Sequence, residues 1–97
     1  TSAASQVVLA SNNTQNNLQI LRNGKELLVA RRGETARIPF LMVGPRMLLE
    51  AKVFDEDPKT GERIFLGTTS KFFRPTRAFR DVQQWNIQNV RVVRRVQ

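Results

Sequence analysis

Leu18-Gln19-Ile20-Leu21-Arg22-Asn23-Gly24-Lys25-Glu26-Leu27-Leu28-Val29-Ala30 sets two short apolar runs on either side of an Asn-Gly dipeptide. Both central residues of a type I′ turn need positive φ, which Asn and Gly adopt at least cost, so this stretch predicts a tight β-hairpin. Outward from it, Arg32-Gly33-Glu34 supplies a second turn and residues 36–40 a further strand. Upstream, residues 5–10 and 17–22 read as strands. Between them lies Ser11-Asn12-Asn13-Thr14-Gln15-Asn16, a polar stretch with loop composition that reads as an extended, mobile hinge.

Downstream, Gly44-Pro45 breaks the chain before residues 46–54, where Met47, Leu49, Ala51 and Val53 alternate with Leu48, Glu50, Lys52 and Phe54. Successive side chains of a strand point to opposite faces, so the odd-numbered face is assigned to the core. Residues 55–62 form a polar connection with Pro58 and Gly61 at turn positions, followed by strands over 63–67 and 68–73 and a break at Arg74-Pro75-Thr76. In the last segment Trp85, Ile87, Val90, Val92, Val93 and Val96 are the apolar positions, and the β-branched run of 87–96 favours a strand. Residues 78–84 are compatible with one helical turn.

No stretch carries apolar residues at i, i+3, i+4 and i+7, the helical signature. The pattern predicts an all-β chain: a small antiparallel β-sandwich of immunoglobulin-like or jelly-roll type, with about seven strands. A small β-barrel is the alternative. Residues 17–97 are assigned to the sandwich, with a core that includes Leu49, Ala51, Val53, Trp85 and Ile87. Residues 1–16 are read as a polar segment whose strand can be exchanged between chains.

A chain of 97 residues, 40% hydrophobic and 25% charged, has the composition of one folded domain with one core. It has no Cys, which excludes disulfides and zinc-thiolate sites. Its longest apolar stretches, such as residues 38–43, fall far short of the roughly 20 residues of a membrane-spanning helix. Thr1, Ser2, Ala3, Ala4 and Ser5 are small residues of the kind left beside a cleaved export signal, which suggests an extracellular, envelope or virion setting, with the cytoplasm as the other option.

The formal charge is +8, and it is unevenly spread: eight bases and seven acids precede residue 63, whereas eight bases and one acid follow. Such asymmetry points to an acidic partner, whether nucleic acid, anionic glycan, lipid headgroup or acidic protein surface.

His, Cys and Tyr are all absent, which removes the commonest general base and the thiolate nucleophile. Neither a Gly-x-Ser-x-Gly elbow nor a Ser-x-x-Lys motif is present. Asp55, Glu56, Asp57 and Glu62 sit in one turn, so they do not flank a cleft as glycosidase carboxylates do, and their spacing is not that of an EF-hand. They read as a solvated hairpin tip. The glycines at 24, 33, 44, 61 and 67 are too scattered for a phosphate-cradling loop. The sequence predicts no enzyme, no cofactor and no metal. Asn12-Asn13-Thr14 matches the glycosylation sequon.

Two binding features remain. Arg74, Arg77, Arg80, Arg91, Arg94 and Arg95 form the candidate site for a polyanion or acidic partner, since arginine suits bidentate recognition of phosphate, sulfate or carboxylate. Phe72, Phe73, Phe79 and Trp85 are interleaved with the basic residues, the mixture a single-strand binder uses for stacking, although a small sandwich also needs its aromatics inside. Phe72 and Phe73 are consecutive, so on a strand they face opposite ways. Arg91, Arg94 and Arg95 among valines also fit an edge strand protected from aggregation by charge.

The second feature is the uncharged strand Gln6, Val7, Val8, Leu9 and Ala10, which can add to a neighbour's sheet edge through main-chain hydrogen bonds or, equally, form the first strand of its own sandwich. On the first of these readings the protein is a structural or assembly subunit whose partner is a second copy or another protein. Removing residues 1–11 then leaves the remaining fold intact. An acidic polymer bound by the arginines is the alternative partner.

Overall fold

The computed structural model describes residues 5–40, 46–75 and 80–88. Seven strands follow one another: β1 (Ser5–Asn12), β2 (Asn17–Arg22), β3 (Lys25–Ala30), β4 (Thr35–Pro39), β5 (Met47–Glu56), β6 (Arg63–Phe73) and β7 (Arg80–Ile87). They form a three-stranded sheet in the order β4-β1-β7 and a four-stranded sheet in the order β3-β2-β5-β6. The fold is all-β, a small sandwich as the alternation predicts. Among the described residues no helix is long and apolar enough to cross a membrane.

The hairpin that decides the fold has the expected turn, with Asn23 at φ 51° and Gly24 at φ 86°. Arg22 faces Lys25 beside it, and Leu27 is left unopposed where the register shifts between Ile20 and Leu21. In β5 the odd positions face inward: Met47, Leu49, Ala51 and Val53 are buried, together with Leu18, Ile20, Ala30 and Phe73 of the same sheet. The opposing sheet contributes Val8, Ala10, Ala36, Ile38, Trp85 and Ile87. The rings of Phe73 and Trp85 meet edge-on across the two sheets with centroids 5.6 Å apart.

Three features depart from the sequence reading. Residues 63–73 are one strand rather than two, continuous through Gly67, with a bulge that leaves Leu66 unopposed between the pairs Val53–Gly67 and Phe54–Phe65. Residues 80–87 are a strand, not a helical turn, and β7 runs parallel to β1, so the sheets are not antiparallel throughout. The inward positions of β7 begin with Asp81 and Gln83 before reaching Trp85 and Ile87, which masks the alternation in the sequence.

The third departure concerns the assignment of residues 1–16 outside the sandwich, while the pairing of β1 within its own chain is the alternative the sequence also allows. β1 is the central strand of its sheet, antiparallel to β4 from Val7–Pro39 to Ser11–Thr35 and parallel to β7 from Ser5–Arg80 to Asn12–Ile87. Both of its edges are occupied within the chain.

The Asn-rich link after β1 is held by hydrogen bonds. The Asn12 side chain, fully buried, donates to the carbonyls of Asn16 and Ala30, both at 2.9 Å. Its oxygen accepts from the Thr14 amide at 3.0 Å and the Thr14 hydroxyl at 2.6 Å. The Asn12 backbone adds a donated bond to Glu34 and an accepted one from Gly33, both 2.9 Å, and Asn13 donates to Ile87. The ends of β1, β3, β4 and β7 therefore converge on one residue. Its burial also withdraws the Asn12-Asn13-Thr14 sequon from glycosylation in the folded domain.

Each buried polar group left unpaired costs about 1 to 3 kcal/mol, so Asn12→Ala, which orphans the Ala30 carbonyl and strips Thr14 of its acceptor, should lower stability by about 2 to 4 kcal/mol in chemical denaturation. Removal of residues 1–11 takes away the strand that joins β4 to β7. The truncated chain should lack the cooperative unfolding transition and dispersed amide spectrum of the full chain.

Candidate functional site

The candidate residues in β1 belong to the interior of the fold. Gln6, Val7, Val8 and Ala10 are buried and Leu9 is partly so. Of the candidate arginines, Arg74 is exposed just after β6, and Arg80 is the first residue of β7. Arg77, Arg91, Arg94 and Arg95 lie outside the described residues, as does Phe79. Trp85 and Phe73 are core residues, so neither offers a stacking face. Phe72, on the opposite face from Phe73, is 51% exposed.

What the structure brings together instead is a surface along β6. Among the described residues β6 pairs only with β5, and its other edge is free. In an antiparallel ladder every second residue turns its backbone N–H and C=O toward that free edge. Ile64, Phe65 and Phe72 on this strand are each about half exposed, at 51%, 52% and 51%. The other described edges are shorter. β4 is five residues long and ends in Pro39, β3 has six residues, and β7, the far edge of the three-stranded sheet, has eight, with Val82 half exposed.

The register places Phe54 and Phe65 side by side on the outer face, and their rings sit 5.8 Å apart. Phe54 is nonetheless fully buried. The Arg63 guanidinium lies 4.7 Å from its ring centroid and closes over it. Arg63 is fixed by a 2.8 Å bond to Glu26, which also accepts from Gln19 at 3.0 Å. The outer face of the four-stranded sheet thus has a small apolar cluster of its own at the β6 N-terminal end, roofed by an ion pair.

The other end of β6 is different. The Arg46 guanidinium stands 4.2 Å above the exposed Phe72 ring, and the Lys71 ammonium is 5.3 Å from the Phe73 ring. The β5–β6 ladder ends at Met47–Phe73, so Arg46 and Arg74 flank its last pair on either strand. Among the described residues the ion pairs are Arg31–Glu56 and Arg63–Glu26, and neither involves Arg46, Lys52, Lys71 or Arg74. Arg46, Lys71 and Arg74 therefore lie at this end with no ion-pair partner among the described residues, and the Arg74 carbonyl accepts from the Gln83 side chain of β7 at 2.8 Å.

The acidic turn between β5 and β6 is occupied with its own geometry. The Asp57 carboxylate accepts from the amides of Lys59 at 2.8 Å and Thr60 at 3.3 Å, and Gly61, at φ 73°, donates to the Asp57 carbonyl. This is an Asx-type turn. Among the described residues no three acidic side chains are grouped as a metal site requires.

Sequence reasoning missed Arg46, Ile64 and Phe65. The alternation of 63–67 is interrupted by the bulge at Leu66, so both faces read as apolar. A hairpin alignment of 46–56 against 63–73 places Arg46 opposite Phe73, and only the bulge at Leu66 shifts the register so that Arg46 comes beside Phe72.

The Glu26 carboxyl is held below its ordinary range, first by the hydrogen bond from Arg63 and then by that from Gln19. A lowered folded-state pKa contributes stability above the unfolded value, and that contribution disappears as the pH falls through the lowered one. In an NMR titration Glu26 should show a midpoint below that of an ordinary glutamate, and Arg63→Gln should raise it. An unchanged midpoint would mean that the roof over Phe54 is not formed in solution.

Comparison of the chain with protein-family models, with curated proteins and with solved structures found no match.

Proposed function

We propose that this chain is a non-enzymatic assembly module that joins a second protein subunit by adding that subunit's strand to the open edge of β6. The observation that carries the reading is the edge itself. It has 11 residues, the longest strand among the described residues, with one bulge at Leu66 and three half-exposed apolar side chains along it. An edge of that length spans roughly 36 Å at about 3.3 Å per residue, enough to pair with a full incoming strand. Main-chain bonds would supply affinity, and contacts with the half-exposed Ile64, Phe65 and Phe72 side chains would supply selection.

The pairing of β1 supports this assignment over strand donation by residues 6–10. A donated strand must leave its own sheet, and here departure would strip two neighbours of their ladders. A second reading, binding of an anionic polymer, is favoured by the Arg46–Phe72 contact, because a cation and an aromatic face presented together suit both phosphate and base.

A photo-crosslinking residue in place of Thr68, midway along β6, should give adducts with a second protein chain in the source cells. Mass spectrometry then identifies that chain as another copy or a different subunit. The same residue at Thr35 in β4 should not crosslink, and Ile64→Lys with Phe72→Lys should abolish the Thr68 adducts while leaving the thermal transition in place. Equal crosslinking from both strands, or protein adducts from neither, would contradict the reading.

A further inference from the structure

We infer that the strand received by β6 is acidic, an extended peptide that carries Asp or Glu together with apolar residues. The inference rests on the proposed strand addition and adds the chemistry of the partner. Three cations, Arg46, Lys71 and Arg74, gather at the β6 C-terminal end, and no described carboxylate pairs with them. The N-terminal end of the same strand is already neutralised, because Arg63 is bound to Glu26. Arg46 and Arg74 are both exposed and flank the last ladder pair, so an anion on an incoming strand beside Arg74 would meet a positive field with no carboxylate of the described residues competing for it.

Their positions match a strand rather than a point ligand. In an extended chain Phe72 and Arg74 share one face with Arg46 beside them, whereas Lys71 belongs to the other face. A carboxylate presented on either face of an incoming strand therefore meets a cation. The half-exposed Phe65 and Phe72 rings would take the apolar residues of the same strand. The chain's formal charge of +8 would steer such a peptide toward the domain and oppose the approach of a second identical copy.

The test is selection from a displayed library of random twelve-residue peptides against three full-length proteins. These are the natural chain, a charge-reversed variant (Arg46→Glu, Lys71→Glu and Arg74→Glu), and the Ile64→Lys, Phe72→Lys variant as background, each confirmed as folded by its amide spectrum. The natural chain should enrich peptides that carry Asp or Glu among apolar residues, and these should perturb β6 amides. Charge reversal should weaken them roughly tenfold or more and favour Lys- and Arg-bearing peptides instead.

Peptides that perturb β6 but have the same charge composition for the natural and reversed chains would overturn the acidic class and leave strand addition standing. Failure to enrich above the background variant, or perturbation confined to other strands, would overturn both. A single-stranded oligothymidylate that displaces the best acidic peptide at lower concentration would assign the cations to nucleic acid, and would likewise overturn this inference.

Discussion

The buried amide of Asn12 is the constraint on which the arrangement of strands depends. A sandwich needs its two sheets held in register at the ends, where strands leave one layer for the other and backbone groups lose their ladder partners. Here one side chain satisfies the Ala30 carbonyl at the end of β3, the Asn16 carbonyl before β2 and the Thr14 amide and hydroxyl in the link. Its backbone joins the β3–β4 turn through Gly33 and Glu34. An aspartate would lack the two donors, and a serine could not reach both carbonyls.

Fixing that corner determines which edges are used and which are left open. With its C-terminal end anchored there, β1 is the middle of its sheet, and its apolar, uncharged composition is what a central strand needs. The four-stranded sheet has no comparable neighbour for β6 among the described residues. One end of that edge is sealed by the Arg63–Glu26 roof over Phe54, whereas the other keeps its cations unpaired. The contrast between the two ends gives the surface a direction.

Legibility in the sequence followed the strength of local signals. The Asn23-Gly24 turn and the odd-numbered face of β5 were readable because one residue pair and one period determine them. The core residues Leu49, Ala51, Val53, Trp85 and Ile87 are buried as that period requires. β7 was obscured because its first inward positions are polar. The role of Asn12 was hidden because an Asn in a polar stretch looks like any loop residue until its partners, as distant as Ala30, are brought to it. Phe54 illustrates a third limit: alternation put it on the solvent face correctly, but nothing local indicated that Arg63 would cover it. The open edge is a property of topology, so no window of sequence contains it.

The central claim is that β1 belongs to its own domain while the β6 edge is free of every other described strand, and native-state amide hydrogen exchange tests it directly. The account predicts that the amides of β1 exchange only through global unfolding, at a rate independent of protein concentration, while alternate amides of β6 exchange orders of magnitude faster in the free chain. Rapid exchange throughout β1, with protection that appears only as concentration rises, would contradict it.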